Sequence, residues 1–188
     1  MAPRPSIAPM IVAKDIEKTY DYFTNVLGFA GLGKFQGPDG NVMHASVVLP
    51  TRTGEATIMF SPWNFVVNNP DMSGEFATNL NKGVLGNGVV LFLNIPDVDK
   101  YHGFISSKGA IIDEPPTDQF WGDRTISVLT PDGYYLTFAS PIKGFKAPEG
   151  MGPEAGTDKV KATAPGTSKN FKIPGLKAVK AKAKKSKR

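Results

Sequence analysis

The sequence predicts an α+β fold built from two copies of a β-α-β-β-β module, and three observations support this. An aspartate precedes an amphipathic helix in each half of the chain, at Asp15 and at Asp97. From that aspartate to the glycine that ends the helix, the distance is 13 residues in the first copy and 12 in the second. The distance to a closing Ser-Pro pair is 47 residues, at Pro62, and 44 residues, at Pro141. These matching distances indicate an internal repeat, and an internal repeat predicts a fold built from two similar modules.

The first copy covers residues 6–62. A short apolar strand, about Ile7–Ala13, leads to Asp15, whose carboxylate suits a helix N-cap. Apolar positions then recur on one face of a helix, at Ile16, Tyr20, Phe23 and Leu27. Three strand candidates follow the helix, near Gly31–Phe35, His44–Leu49 and Ala56–Ser61.

The second copy covers residues 88–141 and repeats this order. An apolar strand, Val89–Ile95, precedes the helix that Asp97 caps, and a poorly defined strand follows near Ala110–Asp113. A hairpin ends the copy. Its strands, Arg124–Leu129 and Tyr134–Ser140, are rich in β-branched and aromatic residues, and they flank a Thr-Pro-Asp-Gly turn.

Residues 62–88 join the copies and are rich in Asn, Gly and Pro. This composition predicts a loop with one short helix near Ser73–Asn81. Trp63, Phe65 and Val66 are too apolar for a bare linker, so we expect them to cover a core edge or a subunit contact. A connector of this length inside a compact domain is often functional or structurally committed.

Composition excludes several classes of protein. The chain has 188 residues and no cysteine, which excludes disulfides, a thiolate nucleophile and cysteine metal sites. No apolar run approaches the length of a membrane span. The N-terminal stretch lacks a charged region followed by an apolar core and a cleavage site. We therefore expect a cytoplasmic protein with no membrane span.

Charge divides the chain into two parts. Residues 1–150 carry 11 Lys and Arg against 15 Asp and Glu, a net charge of −4, whereas residues 151–188 carry 11 against 2, a net charge of +9. We predict one domain over residues 6–146 and a disordered segment over residues 147–188, consisting of a flexible linker and a Lys-rich basic tail. Residues 169–188 hold nine basic residues and are predicted to contact nucleic acid or another polyanion without sequence preference.

Three stretches resemble the vicinal oxygen chelate superfamily of glyoxalases, bleomycin resistance proteins and extradiol dioxygenases. They are IVAKDIEKTYDYFTNVLGF in the first copy, and LNIPDVDKYHGFISSKG and FWGDRTISVLTPDGYYLTF in the second. The resemblance covers about residues 6–141. It implies two βαβββ modules whose curled mixed sheets surround a cavity, commonly in a homodimer.

The resemblance also implies four metal-ligand positions, which fall here on Ala8, Ile58, Val90 and Thr137. Divalent metals in this setting need imidazole nitrogen or carboxylate oxygen. Neither these four residues nor their neighbours supply either group. The sequence therefore predicts neither a metal nor any other cofactor.

Strand alternation predicts which side chains face the cavity. The ancestral ligand positions face inward, so Ile58 should do so together with Phe60. His44 opens a strand and could act as an acid, a base or an anchor, although a His bonded to backbone or water is the commoner case. The predicted ligand-binding residues are Met10, His44, Phe60, Phe92, Trp121, Arg124, Tyr135 and Thr137.

Three functions fit these patterns. The leading one is metal-independent binding of a small organic molecule in an apolar cavity, for sequestration or resistance. A second is a lyase, isomerase or dioxygenase-like enzyme that uses an unidentified metal or base. The third is an interaction module whose basic tail binds a polyanion. Whether the chain is an enzyme stays open at this point.

Overall fold

The computed structural model of the chain describes residues 7–52, 54–68, 75–83 and 85–146. These residues belong to one compact unit, Met1–Met151. The predicted linker and basic tail, residues 147–188, lie outside the described residues.

Both predicted βαβββ modules are present. The strands are β1 (Met10–Ala13), β2 (Ala30–Gln36), β3 (Val42–Pro50), β4 (Glu55–Pro62), β5 (Val90–Asn94), β6 (Ile112–Asp118), β7 (Asp123–Leu129) and β8 (Tyr135–Pro141). The helices are α1 (Ile16–Asp21), which continues as a wider π-type turn over Tyr22–Val26, α2 (Trp63–Asn68), α3 (Glu75–Lys82) and α4 (Val98–Ser107). None of these helices, in the described part of the chain, is long and apolar enough to cross a membrane.

The two modules have the same sheet topology. The strand order is β1-β4-β3-β2 in the first sheet and β5-β8-β7-β6 in the second. In each sheet the outer strand of the first pair runs parallel to its neighbour, β1 to β4 and β5 to β8, while the other pairs are antiparallel. The α+β prediction and the internal repeat are therefore confirmed.

Each sheet is covered by its own helix on one face. In the first module, Phe23 from the turn after α1 packs edge-on against Phe60 of β4, with ring centroids 5.0 Å apart. In the second, Tyr101 of α4 packs on Phe138 of β8 at 4.6 Å. Phe60 and Phe138 are fully buried. On the opposite side of each sheet, the described residues place no helix from the same module, and we call this side the uncovered face.

Aspartates begin both main helices as predicted. Asp15 Oδ1 accepts a hydrogen bond from the Lys18 backbone N–H at 3.1 Å, and Asp97 Oδ1 accepts one from Lys100 at 3.0 Å. Hydrogen bonds from these lysines lower the pKa of both carboxyl groups. The caps fix where each helix begins relative to the strand before it.

The modules meet along a seam between the edges of β1 and β5. The Tyr134 hydroxyl, beside the start of β5, donates to the Val12 carbonyl and accepts from the Val12 N–H, both at 2.9 Å. Near the other end of β5, the Arg52 N–H donates to the Asn94 carbonyl at 3.0 Å. The two contacts therefore join opposite ends of β5 to the first module, one at Val12 of β1 and the other at Arg52 of the turn between β3 and β4.

Two elements differ from their sequence predictions. Residues Trp63–Asn68 form α2 where a loop was predicted, because Val66 is fully buried against the core and its packing outweighs the weak helix propensity of this stretch. Strand β6 runs on to Asp118, through Pro115 and Pro116, beyond the predicted end at Asp113. Prolines are tolerated here because β6 is an edge strand whose register shifts between Glu114 and Thr117.

The closing Ser-Pro pairs are not structurally equivalent. Val12 and Asn94 each lie three residues before their capping aspartates, yet Val12 pairs with Ser61 while Asn94 pairs with Ala139. Ser61 therefore corresponds to Ala139 and lies one residue out of step with Ser140. By the same register, Thr137 corresponds to Met59 rather than to Ile58. The prediction that Ile58 and Phe60 face the cavity is wrong for this reason.

Candidate ligand-binding site

The uncovered faces carry large apolar side chains that stay exposed among the described residues. On β1 the Met10 side chain is 44% exposed, and on β5 Val90 and Phe92 are 55% and 48% exposed. Phe35 on β2, which pairs with His44, is 67% exposed. Contiguous exposed apolar surface on a sheet is typical of a ligand or partner site.

Five of the eight predicted site residues lie on these uncovered faces. The strand registers place Met10 and His44 on the first sheet, and Phe92, Tyr135 and Thr137 together on the second. Phe92 and Thr137 are direct cross-strand partners, as are Val90 and Tyr135. The second sheet therefore brings three predicted residues into one cluster.

Two predicted residues point elsewhere. Phe60 lies under the α1 side of its sheet and contacts Phe23. Arg124 lies on the α4 side, where its Nε donates to Asp99 at 2.9 Å and its Nη1 to Asp118 at 2.6 Å. These carboxylates raise the pKa of Arg124 and occupy its donors. We leave Phe60 and Arg124 out of the proposed site.

Trp121 stands at the tip of the turn between β6 and β7 and is 50% exposed. Its ring packs edge-on against Phe120 with centroids 4.9 Å apart, and its Nε1 donates to Asp123 Oδ2 at 3.1 Å. The indole is thus held by its polar edge while much of its surface stays open. An aromatic held in this way can stack on an organic guest.

A chain of polar groups crosses the uncovered face of the second sheet. The hydroxyls of Thr137 and Ser127 are 3.2 Å apart, and Ser127 Oγ donates to Glu114 Oε2 at 3.2 Å. Beside it, the Tyr135 hydroxyl donates to Asp113 Oδ2 at 2.7 Å. Desolvation raises the pKa of Tyr135, so its phenol stays protonated at neutral pH. Ser127 and Thr137 are buried, so the exposed ends of this polar chain are the carboxylates of Asp113 and Glu114.

Asp113 is the end of the strand predicted near Ala110–Asp113, and Glu114 lies one residue beyond that end; the sequence patterns indicated neither as a site residue. Both belong to β6 and accept hydrogen bonds from hydroxyls of β7 and β8. The Pro-Pro pair that follows them hid the rest of the strand. A usable signal was present in β7, where Thr125 and Ser127 alternate with Ile126 and Val128, because such alternation marks a strand with one polar face.

His44 lies on the uncovered face of the first sheet and is half-buried. Its Nε2 is 3.1 Å from Ser46 Oγ, two residues along the same strand. This local bond matches the commoner prediction of a strand histidine with a nearby partner. It also holds the imidazole on the side of the sheet where Met10 lies.

The residues present do not fit the divalent metal that the resemblance implies. With the register corrected, Met59 replaces Ile58 at the first-sheet position, and a thioether is a poor ligand for the hard divalent ions. Ala8, Val90 and Thr137 supply neither imidazole nor carboxylate. Across the described ranges, no group of three or more His, Cys, Asp or Glu side chains is placed to hold a metal ion.

Comparison with known proteins agrees with this architecture. The family model of the Glyoxalase/Bleomycin resistance protein/Dioxygenase superfamily matches residues 7–138. The chain belongs to this superfamily. An uncharacterized protein of Mycobacterium bovis, Mb0911c, is 28% identical over 140 residues, which cover 74% of this chain and 85% of that protein.

Several solved structures share the fold. A glyoxalase/bleomycin resistance protein/dioxygenase from Nocardioides superposes with a TM-score of 0.57 at 18% identity, covering 78% of this chain and 89% of the other. TioX from Micromonospora sp. ML1 superposes with a TM-score of 0.51 at 21% identity, covering 74% and 100%. At these identities the likeness supports the superfamily fold and leaves the ligand to be argued from the site.

Proposed function

We infer that this superfamily member binds a small organic molecule on the uncovered face of its second sheet, without a metal. The observation that supports this proposal is the cluster of exposed Val90 and Phe92 with half-buried Tyr135, beside the Glu114-Ser127-Thr137 polar chain. Ligand sites commonly combine a mostly apolar surface with a few placed polar groups. The mismatch at the metal positions favours sequestration of the ligand, as the bleomycin resistance branch in the superfamily's name suggests.

The ligand properties follow from this surface. Phe92 offers an apolar platform, and the open side of Trp121 offers a second aromatic surface on the same module. Carboxylates of Asp113 and Glu114 accept hydrogen bonds, so a ligand with N–H or O–H donors at one edge suits them better than an anion. A planar or ring-containing body with such a polar edge fits best.

A second copy of the chain would complete the cavity, so we propose a homodimer. One chain leaves Phe35, Met10 and Phe92 open on its uncovered faces, and exposed apolar patches of this kind mark interaction surfaces. Sedimentation of the full chain at micromolar concentration should give twice its 20.2 kDa mass. A monomer at that concentration would contradict the dimer.

The binding proposal is tested first by native mass spectrometry of the purified full chain, which should reveal a retained organic molecule. Titration with Nile red, a neutral apolar dye, provides a second readout. Phe92→Ala should weaken dye binding at least tenfold. Phe104→Ala is the matched control, because Phe104 is similarly exposed at 44% but lies on α4. Equal effects of the two substitutions would overturn the assignment of the face.

Metal independence is tested separately by elemental analysis of the purified protein. We expect no stoichiometric divalent metal. One Zn, Ni, Fe or Mn bound tightly per chain would overturn this part of the proposal and favour the enzyme alternative, with His44 as the first ligand to substitute.

A further inference from the structure

A separate cavity, the seam cleft, lies where β1 and β5 meet, and α3 forms one of its walls. Its lining includes Val12, Asn79, Leu80, Leu85, Leu91 and Tyr134, and Met10 from the first sheet's uncovered face also borders it. Its volume is about 360 Å³, within the range of roughly 300–1,000 Å³ that is usual for small-molecule sites. The cleft draws one wall from each module and one from the connector that joins them.

The floor of the seam cleft is apolar, and its polar groups already have hydrogen-bond partners within the chain. Val12, Leu85 and Tyr134 are 3%, 5% and 8% exposed. The Tyr134 hydroxyl hydrogen-bonds both the N–H and the carbonyl of Val12, so it is not free for a ligand. Leu80 and Leu91 form half-buried walls, and the exposed carboxamides of Asn79 and Asn87 stand at the rim.

Among the described residues that line the seam cleft, none carries a charged side chain. A charged ligand would lose its hydration there without gaining an ionic partner, which is costly. We propose that the seam cleft binds a neutral, mostly aromatic or aliphatic small molecule with one hydrogen-bonding group, which the rim carboxamides receive.

Two backbone segments approach closely beside the cleft. Gly86 has φ of +78°, and a Cβ on it would lie 2.6 Å from the Gly133 carbonyl oxygen. The loop after α3 is therefore clamped onto the turn between β7 and β8, which presents Leu85 to the floor. A preformed cavity avoids the cost of ordering its walls when the ligand binds.

The seam cleft can be probed independently of the proposed site on the uncovered face. Leu91 and Phe92 are neighbours on β5, so their side chains project to opposite sides of the strand. Leu91 lines the cleft, whereas Phe92 lies on the uncovered face. Substitutions at these two positions separate the sites, and this proposal stands even if the other fails.

The test uses 2-naphthol, a neutral aromatic alcohol, titrated into the ¹⁵N-labelled full chain and followed by NMR. We expect saturable shifts of the amides of Gly83, Leu85 and Leu91. Leu91→Trp should fill the cleft and weaken naphthol binding at least tenfold, while Phe92→Ala should leave it within twofold. Leu80→Trp narrows the cleft from α3, outside both sheets, and guards against a folding failure of the strand variant.

Three results would overturn the proposal. These are the absence of saturable shifts at millimolar naphthol, shifts confined to the uncovered face of the second sheet, and unchanged affinity in a folded Leu91→Trp or Leu80→Trp variant. Replacing naphthol with 2-naphthoate, its anionic analogue, adds a test of ligand class. Affinity for the anion should be at least tenfold lower, and equal affinity would contradict the neutral-ligand assignment.

Discussion

Removing one hydroxyl at the seam should destabilise the whole fold. Tyr134→Phe deletes the group that serves both the N–H and the carbonyl of Val12, each at 2.9 Å and buried. A typical hydrogen bond contributes about 1 kcal/mol net, and a buried backbone group left without a partner costs about 1–3 kcal/mol. With two groups orphaned at once, we expect a loss of about 2–4 kcal/mol in the free energy of unfolding.

Urea denaturation of the full chain measures this loss, and the neighbouring tyrosine provides the control. Tyr135→Phe removes the same atom from a hydroxyl that bonds an exposed carboxylate, Asp113, and should cost less than about 1 kcal/mol. Burial raises the pKa of Tyr134, so its hydroxyl is intact throughout the neutral range and the comparison holds there. A Tyr134→Phe loss below about 1 kcal/mol, or equal to the control, would refute the reasoning.

Four further outcomes are expected. Phe60→Ala should cost about 3–5 kcal/mol of stability without weakening Nile red binding in the folded protein, since Phe60 is core; a binding loss with little destabilisation would restore it to the site. Gly86→Ala should destabilise by more than about 1 kcal/mol in urea, because it forces a strained positive φ against the Gly133 backbone. Asp15→Ala should cost about 1 kcal/mol at pH 7. Because the folded pKa of Asp15 is lowered, that difference is present above the ordinary value of 3.8 and should vanish as the pH falls below it. Full-length protein should bind duplex DNA with a log–log salt slope of up to about −8; truncation after Gly150 should abolish the binding, and equal binding by the truncated chain would reject the division of the molecule.

The fold was readable from the sequence because its signals are local. Asp15 and Asp97 begin helices at matching places, and the hairpin turn is encoded by its own four residues. Register is a different matter, because it depends on pairing between distant strands. The repeated Ser-Pro misplaced β4 by one residue, which is enough to turn every side chain to the other face of a sheet.

The candidate site was only partly predictable for the same reason. Phe92, Tyr135 and Thr137 follow from alternation along two strands, and the structure brings them together. Arg124 looked like a free donor from the sequence. Its partners, Asp99 and Asp118, lie on α4 and β6, and only the packing of these elements against β7 brings them to Arg124. The seam cleft is lined by residues of both modules and of α3. No local sequence pattern predicts that these three parts of the chain lie next to one another.

The contacts between the two modules also determine whether either module could fold on its own. Three tyrosine hydroxyls bond the backbone of the opposite module: Tyr101 to Leu27, Tyr22 to Leu129 and Tyr134 to Val12, across 74, 107 and 122 residues of chain. Either half folded alone would leave such partners unmet. The copies should therefore unfold in a single cooperative transition. Folding should also be slow for a chain of this size. Contacts so distant in sequence require the chain to lose loop-closure entropy before the contacts stabilise the fold.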